Sequence, residues 1–124
     1  MSVFESPCRT LVSALGRKWT WDDRFEAAVV SFKVDEQAGV LAAVEKTLPT
    51  AYTLQSIGTA TPAVQTAAKR LGGLRGEQRL LAAESGDALL FGAWWPWGDG
   101  KTVSLRVGVL GGATVAELRG WFGV

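Results

Sequence analysis

Residues 88–110 read ALLFGAWWPWGDGKTVSLRVGVL, and the way the two halves of this stretch pair decides the fold. In the second half, Val103, Leu105, Val107 and Val109 alternate with Thr102, Ser104 and Arg106, the period-two pattern of a strand with one buried and one wet face. Asp99-Gly100 is a favoured pair for a two-residue type I′ turn, which sets Gly98 against Lys101, Trp97 against Thr102, Trp95 against Ser104 and Trp94 against Leu105. Successive strand residues point to opposite faces, so Trp94 turns inward while Trp95 and Trp97 turn outward. Arg106 then lies diagonal to Trp95, within reach of a cation–π contact. A slip of one residue, through a three-residue Gly-Asp-Gly loop, would exchange the faces. A helix, such as a C-terminal one carrying Trp121, would also bury the rings. Pro96 within the strand pattern predicts an edge or a bulge.

Working upstream, QRLLAA (78–83) is a third strand, joined to the hairpin by a short Ser-Gly-Asp connection, so the three form an antiparallel meander. FEAAVVSFKV (25–34) has apolar residues on both alternating sets and predicts a central strand. Next, Asp35 stands at a helix N-cap position, and Ala38, Leu41, Val44 and Leu48 form a helical stripe that Pro49 stops. A strand within TAYTLQSI (50–57) would complete a βαβ-like unit, with an antiparallel return as the alternative. Thr61 and Pro62 open a helix with Val64, Ala68 and Leu71 inward, Lys69 and Arg70 outward, and Gly72 and Gly73 at its end.

At the N-terminal end, SPCRTLVSALG predicts a packing helix capped by Ser6, with Leu11 and Leu15 on one face and Gly16 closing it; RKWTWDD (17–23) reads as a linker. At the C-terminal end, Thr114 and Glu117 match a capping box ahead of Val115, Leu118 and Phe122. The order αβαβαβββα predicts one α+β domain over residues 1–124: a mixed or largely antiparallel sheet of about five strands, with helices mainly on one face.

Composition removes several functions. The 124 residues are 48% hydrophobic and 20% charged, with 13 basic against 12 acidic side chains, the balance of an ordinary globular domain without a global field for nucleic acid or anionic membrane. There is no histidine, which excludes Ser-His-Asp and Cys-His nucleophile pairs and imidazole metal ligation. No metal or cofactor is expected. The single Cys8, the absence of a secretory signal pattern and the lack of a long apolar run predict a cytoplasmic protein away from the membrane.

Five candidate stretches remain. Trp95, Trp97 and Arg106, with Pro96 and Asp99 beside them, form an aromatic and cationic patch of the kind that supplies binding hot spots. Arg70, Arg75 and Arg79 surround three glycines in KRLGGLRGEQR (69–79), a weaker anion-binding candidate without the Walker spacing. Asp22 and Asp23 are adjacent carboxylates that neither strand nor helix geometry would bring to one site. Cys8 falls near a helix N-terminus, where a thiolate is stabilised, yet no histidine is present to serve as its base. GVLGGATVAEL (108–118) lacks GxGxxG spacing and reads as a tight strand-to-helix turn.

Assembled catalytic chemistry is missing. The expectation is therefore a non-enzymatic protein-interaction module, such as an adaptor, a chaperone-like subunit or an inhibitor, which binds another protein or a second copy of itself through the Trp/Arg patch. The alternative is a small-ligand domain whose indoles stack on a sugar or nucleobase. A histidine-free enzyme ranks third.

Overall fold

The computed structural model describes residues 2–124, and among them the chain forms four α-helices and six strands. In chain order these are α1 (Glu5–Leu15), β1 (Thr20–Asp22), β2 (Ala27–Lys33), α2 (Gln37–Glu45), β3 (Thr50–Tyr52), α3 (Pro62–Arg70), β4 (Arg79–Ser85), β5 (Ala88–Pro96), β6 (Thr102–Leu110) and α4 (Val115–Phe122). All six strands belong to one antiparallel sheet in the order β1-β2-β6-β5-β4-β3. Two expectations are corrected here. The sheet has a sixth strand, because Thr20–Asp22 in the supposed linker pairs with β2, and the strand–helix–strand unit is split: β2 and β3 run parallel and α2 joins them, but β6, β5 and β4 lie between.

The β5–β6 register is the one read from the sequence, with Trp94 opposite Leu105 and Trp95 opposite Ser104. Its turn differs in kind. Asp99 is absent from the left-handed residues, so a type I′ turn, which needs a positive φ at both central positions, does not form. Instead the Gly100 N–H donates to the Trp97 carbonyl at 3.2 Å. The Asp99 carboxylate accepts from the N–H groups of Lys101 at 2.8 Å and Thr102 at 3.0 Å. Asparagine-like side-chain capping of the turn thus replaces the tight backbone turn, while the Trp97 N–H still donates to the Thr102 carbonyl and keeps the frame.

Alternation sends the two side-chain sets to two cores. Val30, Phe32, Leu90, Trp94, Val103, Leu105, Val107 and Val109 face α1, α2 and α4. Leu80, Ala82, Leu89, Phe91 and Ala93 face α3 on the other side. Gly108 makes the second face possible beside Phe91: a Cβ there would sit 2.6 Å from Phe91 Cζ. Both sheet edges, β1 and β3, are only three residues long, which limits strand addition.

The helices follow their sequence signals with adjustments. Thr61 caps α3 and Thr114 forms the capping box with Glu117. Ser6 lies inside α1 and caps nothing, the residue preceding that helix being Phe4. Asp35 sits in a short 3₁₀ turn ahead of α2 without capping it. The buried stripe of α2 is Val40 and Val44, with Leu48 beyond its end and Leu41 partly buried against the same core, while Ala38 is exposed. In α4, Val115 points outward and Trp121 joins Leu118 and Phe122 in the core.

Candidate functional site

The α3 side of the sheet is covered over β4 and part of β5, with Arg70 at the end of α3 reaching Val109 on β6. Thr20, Val29, Ser31, Lys33, Thr102, Ser104, Arg106 and Trp95 share the other half of that side by register. Most are polar, and Trp95 is the large ring among them. Arg106 stands opposite Ala93, whose small side chain leaves room for the guanidinium to lean towards Trp95. The guanidinium carbon lies 4.5 Å from the indole centroid, the geometry of a cation–π pair. Arg106 also donates from Nε to Asp22 Oδ2 at 3.0 Å and from Nη1 to Ser104 Oγ at 2.8 Å. Ser104, paired with Trp95, is 1% exposed.

Two groups from the β1–β2 turn complete the arrangement. Phe25 meets the Trp95 ring edge-on, with centroids 5.4 Å apart, and Asp22 supplies the carboxylate. Partial burial alone would push the Asp22 carboxyl up. The hydrogen bond from Arg106, those from the backbone of Phe25 and Arg24, and the attraction of the guanidinium outweigh it and hold the group below the usual aspartate value. The pair is half-buried, with side-chain exposures of 21% for Arg106 and 19% for Asp22. The Nε1–H of Trp95 is buried without an acceptor among the described residues.

Trp95, Arg106 and Ser104 therefore converge as one platform. Trp97 stands one step along the same face, 51% exposed at the hairpin tip. Pro96 marks neither an edge nor a bulge, since β5 is an interior strand. Its nitrogen points to the side opposite the Trp97 N–H, towards β4, and β4 begins only opposite Trp94. The missing donor therefore costs no ladder bond. Asp99 is engaged in its own turn, where hydrogen bonds from Lys101 and Thr102 lower its carboxyl.

The basic loop does not assemble. Arg70 donates to the carbonyls of Phe25 at 2.8 Å and Val109 at 3.4 Å. Arg79 is paired with Trp94 and so belongs to the opposite face of the sheet, and Arg75 is exposed. Asp22 and Asp23 diverge, with Asp23 accepting from Trp21 Nε1 at 2.9 Å. Cys8 is 0% exposed, and burial pushes its thiol up to about 12, which removes the reactive thiolate. Gly111 and Gly112 form the strand-to-helix turn that their spacing predicts.

Phe25 is the member of the platform that the sequence does not announce. Reading it as a strand residue hides it; the signal is Asp22 three residues before it, whose Oδ1 accepts from the N–H groups of both Arg24 and Phe25 in an Asx-type turn. Among the described residues, no group of three or more metal-ligating side chains converges, and no helix is long and apolar enough to cross a membrane. No protein-family model matches the chain, and neither a curated protein nor a solved structure matches it.

Proposed function

We propose that the protein is a non-enzymatic interaction module that docks another protein on the Trp95/Trp97/Arg106 face. The observation that carries this reading is the 4.5 Å indole–guanidinium pair on the half of the sheet that α3 leaves open. Tryptophan and arginine dominate binding hot spots because each combines large contact area with directional polar groups and little entropy to lose. The larger core, on the other face, is filled by Trp94 and its neighbours without this pair. An adaptor, a chaperone-like subunit or an inhibitor would each use such a surface.

The test is capture of partners from the native source with wild-type and Trp95→Ala/Trp97→Ala baits. The double variant should lose the proteins that the wild type retains while its Tm falls by no more than about 10 °C, the equivalent of roughly 2 kcal/mol for a chain of this size. Equal capture by both baits, or an unfolded variant, would overturn the reading. Light scattering across a concentration series reports a second copy as the partner.

The exposed Trp97 indole favours a second reading, a small-ligand domain in which the ring stacks on a sugar or nucleobase while Arg106 orients it. Saturable quenching of tryptophan fluorescence by a sugar or a nucleotide, lost in Trp97→Ala, would select it over the first.

A further inference from the structure

The turn between β1 and β2 leaves the sheet edge and folds back over the platform. Asp22 organises it: Oδ1 accepts from the N–H groups of Arg24 at 2.9 Å and Phe25 at 3.2 Å, while Oδ2 takes the Arg106 Nε–H at 3.0 Å. From the other side Arg70, at the end of α3, donates to the Phe25 carbonyl at 2.8 Å and lies 3.6 Å from the Glu26 carboxylate. Between these anchors Glu26 adopts φ 50, the left-handed region where a Cβ is crowded. Such a residue persists only where its surroundings hold it.

A carboxylate on the guanidinium and an aromatic ring against the indole are what a bound peptide would supply to this pair. We propose that the Asp22/Phe25 turn is a built-in competitor for the platform, and that the partner docks through a peptide segment presenting a carboxylate followed within a few residues by an aromatic ring. This rests on the platform being an interaction surface, and it adds the partner's chemistry and the means of its control. Charge complementarity sets the sign: once Asp22 leaves, Arg106 lacks its counter-ion, with Arg70 and Arg24 close to the turn. The Trp95 Nε1–H, which has no acceptor among the described residues, gains one from an incoming main chain. β1 contributes only three residue pairs to the sheet, so release of the turn breaks few ladder bonds.

The chain's own segment is the probe. A fluorophore-labelled peptide of residues 19–28, WTWDDRFEAA, is titrated by anisotropy against wild type, Asp22→Asn, Phe25→Ala and Phe25→Ala/Trp95→Ala. Removing an internal competitor restores the fraction of open platform, so Asp22→Asn and Phe25→Ala should bind the peptide about tenfold or more tightly than the wild type does. A peptide carrying Asn and Ala at those two positions should not bind. If Phe25→Ala fails to fold, the near-isosteric Asp22→Asn decides alone.

Binding no tighter than wild type in Asp22→Asn and in every folded variant overturns the competitor. The interaction reading would still stand if the Trp95/Trp97 baits lose their partners. Tight binding that survives in Phe25→Ala/Trp95→Ala also overturns the competitor, because the peptide then sits elsewhere, and it leaves the interaction reading to the baits.

Discussion

Trp94 and Trp95 are adjacent on β5 and occupy opposite worlds. Trp94 is 3% exposed, tilted against Phe32 at 5.1 Å, and roofed by the face that carries three of the four described helices. Trp95 borders the α3 cluster, keeps part of its ring in solvent, and has a guanidinium, a serine and a borrowed phenylalanine as neighbours. One residue of sequence separates a ring set among hydrocarbon from a ring that has a guanidinium and a serine as well as apolar neighbours. Identical side chains thus meet different surroundings: Trp94 lies inside the larger core, and Trp95 borders the smaller one beside a guanidinium.

The sharpest break of that contrast is truncation. Trp94→Ala should cost about 3–5 kcal/mol, the transfer free energy of the ring plus the cavity between Phe32 and Leu105. Trp95→Ala should cost about 1–2 kcal/mol, the loss of a cation–π pair and a partly exposed ring. Urea unfolding of both variants measures the difference. Equal costs would make the two faces equivalent and remove the basis for a docking surface.

The contrast was legible as one of two frames: the strict alternation of residues 102–110 sets which face of β6 is buried, and the Asp99-Gly100 turn, as against a three-residue Gly-Asp-Gly loop, sets which tryptophan shares that face. The loop length mattered to it and the turn's internal geometry did not. Two turns of different geometry, Asp99-Gly100 alone or the Asp99-capped loop, leave Trp97 opposite Thr102. What the sequence concealed is long-range. β1 is three residues of a tryptophan-rich connection whose pairing partner lies across a hairpin, and strands that short carry no periodicity to detect. Asp22 looked like a turn residue, which it is, but its partnership with Arg106 spans 84 positions. Local pattern cannot report a contact made only when β2 and β6 pair. The α2 stripe is right at Leu41, Val44 and Leu48 and misses only at Ala38, in whose place Val40 is buried.

A smaller effect separates the faces by pH. The carboxyl of Asp22 is held below its ordinary value in the folded chain, so its contribution is present above the unfolded pKa and is lost as pH falls through the folded one. The half-buried ion pair should be worth about 1 kcal/mol at neutral pH. The stability advantage of wild type over Asp22→Asn should therefore shrink as pH drops below about 4. Glu36, lowered by its hydrogen bond from Arg17, and Asp99 titrate in the same range in both proteins, so only the difference between the two curves reports on Asp22. Denaturant titrations at pH 7, 5 and 3 measure it, and a gap that stays constant would mean that Asp22 draws nothing from Arg106 in the folded state.

The smallest expected effect is the most telling for function. Trp97 is 51% exposed beside a turn held by Asp99 and by its own backbone bond to Thr102. Those contacts involve the main chain and leave its side chain free. Trp97→Ala should change stability by no more than about 0.5 kcal/mol, as for a surface position away from caps, cavities and buried charges. A large exposed ring that the fold does not use is costly to keep in water, since its apolar area gains about 25 cal/mol per Å² only when something covers it. If Trp97→Ala is neutral in denaturant yet weakens partner capture, the ring is covered by the partner. If it destabilises the protein as Trp94→Ala does, then the hairpin tip is part of the core and the open face ends at Trp95.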